Sequence, residues 1–285
     1  MLIVDSQVHI WGANTPERPW PTSKNGLKPV PVHNNGVPFT RDFVLREMQA
    51  AGVDRVIIVP PSWEGDRNDL ALEASQRHPD RFAVMGRLDI DAADARRQIA
   101  GWLKQPGMLG LRFAFHTPLL EKPLLDGRTD WVWAAAEEAG IPIMVLATHA
   151  QMPLIERVAR GHPRLKLVMD HLGLAGDRKD AEAFRDLDQL LALGRRPNVA
   201  VKASILPFFV TDPYPYRSLH PYLRRVYEAY GPQRLFWGTD LSRLPCTYRE
   251  GVTMFTEEIP WLSDEDREWI MGRGVCEWLG WNMPR

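Results

Sequence analysis

Residues 165–173 read LKLVMDHLG, a short apolar run that meets Asp170 and His171 at its end. An apolar run of this length between turn signals is typical of a strand buried on both faces of a sheet. The same arrangement recurs in PIMVLATH at 142–149 and in LFWGTD at 235–240. Repeated apolar strands that end in ionisable residues predict a parallel sheet whose carboxyl ends share one polar face.

Eight strands of this kind are predicted along the chain. They cover residues 2–8, 54–59, 82–88, 108–113, 142–147, 165–170, 198–203 and 234–239. Amphipathic segments alternate with them and predict helices at 41–51, 67–78, 91–104, 129–139, 151–161, 180–194, 216–230, 247–259 and 264–280. We therefore expect a single-domain (β/α)8 TIM barrel, α/β in class, over residues 1–285. An open doubly wound sheet is the alternative, but no G-x-G-x-x-G motif follows any predicted strand.

Two connecting segments are longer than a barrel requires. Residues 12–40 contain six prolines, and residues 205–221 read ILPFFVTDPYPYRSLHP. Loops of this length in a compact domain are usually functional. Because each follows a strand, we expect both to lie over the C-terminal mouth of the barrel.

Composition excludes several classes of partner. The chain of 285 residues has 35 basic and 36 acidic residues, a formal net charge of −1, and no basic cluster. Nucleic-acid binding and membrane-surface binding are therefore not expected. Apolar runs are too short to span a membrane. Two cysteines make a disulfide framework unexpected and suit a reducing compartment, so we expect a cytoplasmic protein.

Polar residues gather at the predicted strand ends. Strand side chains alternate, so Asp5, Gln7 and His9 are expected on one face of strand one, as a catalytic or metal-binding cluster or as a solvated strand end. The other strand ends carry His149, Asp170, His171, Lys202, Ser204 and Asp240. A lone histidine at such a place is usually structural, whereas several ionisable groups at successive strand ends predict one shared site.

Three motifs resemble one family. They are DSQVHIW at 5–11, DHLG at 170–173 and GTD at 238–240, in that order along a chain of eight predicted βα units. The sequence resembles the amidohydrolase superfamily over essentially its whole length, and within it the amidohydrolase-2 group. That group includes sugar-acid lactonases, 2-pyrone-4,6-dicarboxylate lactonase and nonoxidative decarboxylases.

The resemblance implies roles for individual residues. Asp240 would act as general base on a water molecule, His9 and His149 would join Asp240 as zinc ligands, and His171 would polarise the substrate or support a ligand. Gln7 departs from the family pattern, which has histidine there, and a neutral amide oxygen is a poor zinc ligand. The resemblance therefore leaves two alternatives open, a zinc site and a site that works without metal.

A site without metal needs other groups to polarise the substrate carbonyl. His9, His171, Arg112 and Lys202 are the candidates. Arg112 is suited to clamp a substrate carboxylate, with an ion pair to a loop acid as the alternative. Lys202 could form a Schiff base, but an ion pair with Asp240 is the simpler expectation.

Residues of the loops after the strands complete the predicted site. Substrate contacts are expected from Gln7, Trp11, Trp63, Arg67, His116 and Arg243. The aromatic members could wall a flat or cyclic substrate, or could fill the tapered mouth by packing alone.

We therefore expect a hydrolase that opens the lactone of an acidic or aromatic-derived metabolite. The alternatives are a metal-dependent nonoxidative decarboxylase, an amide or cyclic-imide hydrolase, and an inactive barrel that only binds a ligand. The segment 264–280 would either cap the barrel or bury its tryptophans against a second copy in a homo-oligomer.

Overall fold

A computed structural model describes residues 1–20 and 37–283. Eight parallel strands form one sheet in chain order. They are β1 (Val4–Val8), β2 (Arg55–Ile58), β3 (Phe82–Gly86), β4 (Met108–Ala114), β5 (Ile143–Leu146), β6 (Leu167–Met169), β7 (Val199–Ser204) and β8 (Leu235–Gly238). The predicted eight-stranded barrel is confirmed.

Helices connect the strands on the outside of the barrel. They are α1 (Arg41–Ala51), α2 (Asp69–Arg77), α3 (Ala95–Gly101), α4 (Lys122–Leu125), α5 (Asp130–Ala139), α6 (Met152–Gly161), α7 (Asp180–Ala183), α8 (Leu187–Leu193), α9 (His220–Tyr230), α10 (Tyr248–Thr256), α11 (Asp264–Glu268) and α12 (Gly274–Leu279). The predicted helix at 180–194 is divided into α7 and α8, and a π-helical turn separates α11 from α12. No helix of residues 1–20 and 37–283 is long and apolar enough to span a bilayer.

Hydrogen bonds from residues that follow β8 to residues of β1 bring the two ends of the sheet together. The Asp240 backbone N–H donates to the Gln7 carbonyl at 2.8 Å. The Asp5 carboxylate accepts from the Thr239 backbone N–H at 2.9 Å and from the Tyr248 hydroxyl at 2.9 Å. Burial raises the pKa of Asp5 to about 6, against the effect of these hydrogen bonds. Asp5 thus joins β1 to the end of β8 and to α10.

An apolar layer fills the lower half of the barrel. It comprises Val4, Ile57, Met85, Met144, Val168, Ala200 and Phe236. Val275 and Cys276 of α12 pack against this layer, so α12 caps the N-terminal end. Residues two positions further along each strand face the interior directly above it. At β3, β6 and β7 these are Arg87, Asp170 and Lys202, which form a polar layer under the mouth.

The 12–40 connection is described in part, and the 205–221 connection is described in full. Residues 21–36 of the predicted 12–40 loop lie outside the described residues. The ends of this loop are joined where the Trp11 backbone N–H donates to the Phe39 carbonyl at 3.0 Å. The 205–221 connection forms short 3-10 turns at Leu206–Phe209 and Arg217–Leu219 before α9 begins.

Candidate active site

A buried ion cluster lies at the base of the mouth. Lys202 Nζ is 2.8 Å from Asp170 Oδ1, and Arg112 Nε is 3.1 Å from Asp170 Oδ2. Burial alone would raise the pKa of Asp170, but the charges of Lys202 and Arg112 outweigh it and hold that pKa below its usual value. The expected pairing of Lys202 with Asp240 is wrong, because β6 and β7 are neighbours and bring Asp170 against the ammonium.

Lys202 also fixes the orientation of Gln7. Its ammonium donates to Gln7 Oε1, and since an ammonium cannot accept, the amide nitrogen must point the other way. Gln7 Nε2 then lies 3.4 Å from His9 Nε2. A run of polar contacts therefore leads from Asp170 through Lys202 and Gln7 to His9.

Asp240 lies between two histidines. Asp240 Oδ1 is 3.2 Å from His9 Nε2, and Asp240 Oδ2 is 4.0 Å from His171 Nε2. Asp240 is only 1% exposed. His9 Nδ1 lies 2.6 Å from the Val59 carbonyl and must donate to it. The Nε2 atom of His9 is therefore the one that can exchange a proton with Asp240.

His171 is held as a neutral ring. Its Nδ1 lies 2.7 Å from Ser204 Oγ. Burial lowers the pKa of His171 to about 4, although Asp240 and Asp170 oppose that shift. At neutral pH the ring can therefore donate or accept one hydrogen bond towards the mouth without carrying a charge.

The backbone is strained where it carries these groups. His171, Leu172 and Asp240 have φ values of 53°, 52° and 51°, in the left-handed region that residues other than glycine rarely adopt. Such conformations cost about 1–3 kcal/mol each and cluster at functional sites. The turns after β6 and β8 carry His171 and Asp240 in this conformation, and the two side chains approach to 4.0 Å.

The three predicted zinc ligands do not form one site among the described residues, although His9 and Asp240 are neighbours. His149 Nε2 lies 2.9 Å from the Leu172 carbonyl, so this nitrogen donates a hydrogen bond and has no lone pair for a metal. Within residues 1–20 and 37–283, no three His, Cys, Asp or Glu side chains are arranged to hold a metal ion. The ammonium of Lys202 lies beside Gln7, where a cation would meet repulsion. The residues present do not fit the zinc site formed by His9, His149 and Asp240.

One aromatic residue of the predicted wall lies beside the cluster. The Trp63 ring centroid is 6.1 Å from that of His9, in an edge contact. Trp11 is 1% exposed and packs behind it, 5.1 Å from Trp63 and 5.2 Å from Phe39. Trp63 thus lies beside His9, and Trp11 packs against Trp63 from the loop core.

Two of the predicted residues, His116 and Arg243, lie near Arg112 in the loops after β4 and β8. Arg243 lies over the Phe208 ring, 4.8 Å from its centroid. Desolvation of the imidazole lowers the pKa of His116, and the positive charges of Arg112 and Arg243 add to that shift. Arg67 is half-buried. Arg112 and Arg243 therefore make this side of the mouth positively charged, whereas the lowered pKa of about 4 leaves His116 neutral at pH 7.

Arg87 belongs to the same side and was missed by sequence reasoning. It follows β3, its side chain is 14% exposed, and its Nε donates to the Gly65 carbonyl at 3.0 Å. Burial lowers its pKa to about 10, with the charge of Arg112 adding to that shift while Asp66 opposes it. The sequence did contain a signal for Arg87. Side chains two positions apart in a strand share a face, so Arg87 faces the barrel interior as Met85 does.

Comparison with known proteins identifies the family. A family model described as amidohydrolase matches residues 4–273. The chain belongs to this amidohydrolase family. The resemblance read from the three motifs is confirmed, and the family together with the lactonase relatives described next makes the chain a hydrolase.

Curated relatives of the chain include two lactonases. The L-fucono-1,5-lactonase of Burkholderia ambifaria is 28% identical over 261 residues, which are 85% of this chain and 81% of the relative. The 4-sulfomuconolactone hydrolase of Hydrogenophaga intermedia is 25% identical over 240 residues, 83% of this chain and 73% of the relative.

Solved structures share the fold. An amidohydrolase from Burkholderia multivorans with bound zinc superposes with a TM-score of 0.80 at 21% identity, covering 98% of this chain and 99% of the other. The 2,6-dihydroxybenzoate decarboxylase from Rhizobium has a TM-score of 0.70 at 14% identity, with 98% and 99% covered. At these identities the likeness concerns the fold alone.

Proposed function

We propose that this amidohydrolase opens a small lactone, with Asp240 as the general base. The observation that carries the proposal is the buried Asp240 carboxylate, 3.2 Å from His9 Nε2 in a barrel mouth of a chain whose relatives include lactonases. A carboxylate in a largely dry mouth, beside groups that can share its proton, suits the activation of water.

The reaction needs one proton to move in and out of the site. Asp240 takes a proton from water as the hydroxide oxygen bonds to the lactone carbonyl carbon. His9 Nε2 faces Asp240 and can share that proton while the tetrahedral intermediate exists. The bond between the carbonyl carbon and the ring oxygen then breaks, and the proton passes to the departing alkoxide. The product is a hydroxy acid, and water is the only co-reactant.

Protein groups would stabilise the oxyanion of the intermediate. With Ser204 donating to Nδ1 of His171, the Nε2–H of that ring faces the mouth and can donate to the carbonyl oxygen. Lys202 and Arg112 add positive potential from below. Donors fixed in place before the reaction supply much of the rate enhancement in such sites.

We propose that carbonyl polarisation does not depend on zinc held by His9, His149 and Asp240. This proposal rests on the hydrogen bond that His149 donates to Leu172 and on the ammonium beside Gln7. Nonoxidative decarboxylation is the second candidate, supported by the decarboxylase fold likeness. The two reactions differ in product, because only decarboxylation releases carbon dioxide.

The test is a panel of lactones, including L-fucono-1,5-lactone and 4-sulfomuconolactone, assayed by proton release at constant pH. The protein is purified without a metal-chelating tag, and the panel is repeated after chelator treatment. We expect ring opening of at least one lactone and its loss in Asp240→Asn. Asp188→Asn is the matched control, because Asp188 is exposed and pairs with Arg225 far from the mouth. No turnover of any lactone, with carbon dioxide released from a hydroxybenzoate, would replace the proposal by the second candidate.

A further inference from the structure

A cavity of about 480 Å³ opens beside the buried ion cluster, between the loops that follow β3 and β4. Four basic and three acidic residues line it, among mostly apolar neighbours. Arg87 and Arg112 come from adjacent strands, whereas Arg128 lies towards the exposed side, where it pairs with Asp91 at 3.0 Å. Its charged lining therefore carries one more positive than negative charge.

The two arginines have hydrogen-bonding capacity that the protein does not use. The Nε–H of Arg112 donates a hydrogen bond to Asp170, and the Nε–H of Arg87 donates one to the Gly65 carbonyl. Arg87 Nη1 is buried without a hydrogen-bond partner among the described residues. A buried donor without an acceptor is unfavourable. An anion in the cavity would supply the missing acceptor.

The neighbouring carboxylates do not fill this role. Asp66 Oδ1 is 3.6 Å from Arg87 Nε, beyond hydrogen-bond length for a charge-assisted pair. Asp170 shares its charge between Arg112 and Lys202. Two guanidinium groups that also repel one another are therefore left facing one cavity, and this arrangement is typical of a site for an oxyanion.

We infer that Arg87 and Arg112 together bind a carboxylate on the substrate, so that the enzyme acts on lactones that carry a carboxylate substituent. This inference rests on the proposed lactone hydrolysis and deepens it. Arg112 borders both the cavity and the ion cluster, which places the bound carboxylate on one side of the reacting carbonyl. Arg87 is then a specificity-determining residue of the site.

The test compares γ-butyrolactone with 5-oxotetrahydrofuran-2-carboxylate, which differ only in the carboxylate. The measured quantity is the ratio of kcat/KM for the acidic lactone to that for the neutral one, in wild type, Arg87→Met and Arg87→Lys. A charge-assisted hydrogen bond predicts that this ratio falls about 10- to 100-fold in Arg87→Met. We expect Arg87→Lys to restore part of it. Arg97→Met is the control, because Arg97 is 83% exposed on α3.

Binding of 5-oxotetrahydrofuran-2-carboxylate is also measured by calorimetry, so that two failures can be told apart. If neither lactone is hydrolysed but the acidic one binds and loses affinity in Arg87→Met, the carboxylate site stands and lactone hydrolysis fails. If both lactones are hydrolysed with a ratio that Arg87→Met leaves unchanged, the carboxylate site is overturned and the proposed function stands. Circular dichroism checks folding, and should Arg87→Met not fold, an unchanged ratio in Arg87→Lys overturns the inference equally.

Discussion

Replacing Lys202 with methionine should destabilise the fold markedly. The substitution removes an ammonium 2.8 Å from Asp170, and both side chains are 0% exposed. Removing one partner of a buried ion pair usually costs about 3–5 kcal/mol, because the other charge is left buried without its counter-ion. Arg112 still lies 3.1 Å from Asp170 and limits the loss, so we expect about 3 kcal/mol. Methionine has a similar length, so little of this loss would come from a cavity.

The assay is urea unfolding followed by circular dichroism, with Lys104→Met as the matched control because Lys104 is exposed. Asp170→Asn and the double variant Asp170→Asn/Lys202→Met complete a cycle. If the pair is the cause, the double variant should be more stable than the sum of the two single changes predicts, by roughly 0.5–3 kcal/mol. A Lys202→Met protein within about 1 kcal/mol of wild type, with additive single changes, would refute the reasoning.

Three further predictions follow from the buried groups. The pKa of His171 is lowered from 6.5 to about 4, so His171 contributes stability above pH 6.5 that is lost as the pH falls towards 4. In urea unfolding over that range, the wild type should lose roughly 3 kcal/mol of unfolding free energy relative to His171→Asn. The pKa of Asp5 is raised from 3.8 to about 6, so its pH dependence has the opposite sign. Relative to Asp5→Asn, the wild type should lose about 3 kcal/mol of unfolding free energy as the pH rises from 4 to 7. For either residue, a difference in unfolding free energy between wild type and variant that does not change with pH would contradict the prediction. Chelator treatment should leave the rate of lactone turnover within about twofold of that of the untreated protein, and a loss of turnover that zinc restores would overturn the proposal that zinc is not needed. The double variant Gln7→His/Lys202→Met should bind more zinc than the wild type by elemental analysis.

The fold was predictable because a barrel strand is apolar on both faces and short. Eight runs such as LKLVM therefore stood out, and the observed strands lie within or close to the predicted ranges. The division of the predicted 180–194 helix was not visible, because Phe184 and Leu187 continue the helical spacing of apolar residues across the break. Boundaries of this kind depend on packing against the sheet.

The position of the site was predictable, but its pairings were not. Strand ends marked His9, His171, Lys202 and Asp240 as neighbours of the mouth. Which acid meets Lys202 depends on the order and stagger of the strands, and these place Asp170 of the adjacent β6 closer than Asp240. No residue type marks the left-handed backbone at His171 and Asp240.

Two other features depended on three-dimensional contacts. The Leu172 carbonyl that engages His149 is brought there by the turn after β6 and has no signature in sequence. Arg87 could have been found by alternation from Met85. That inference requires knowing which face of β3 lines the inside of the barrel. The sequence does not show this, because every residue of β3 is apolar.

The most direct test of the central claim is the rate of lactone opening by Asp240→Asn. The variant keeps the size of the side chain and removes its ability to take a proton from water. For a lactone that the wild type opens, we expect kcat to fall about 10²- to 10⁴-fold, with urea unfolding close to that of wild type. A well-folded Asp240→Asn protein that opens the same lactone at the wild-type rate would show that Asp240 is not the base.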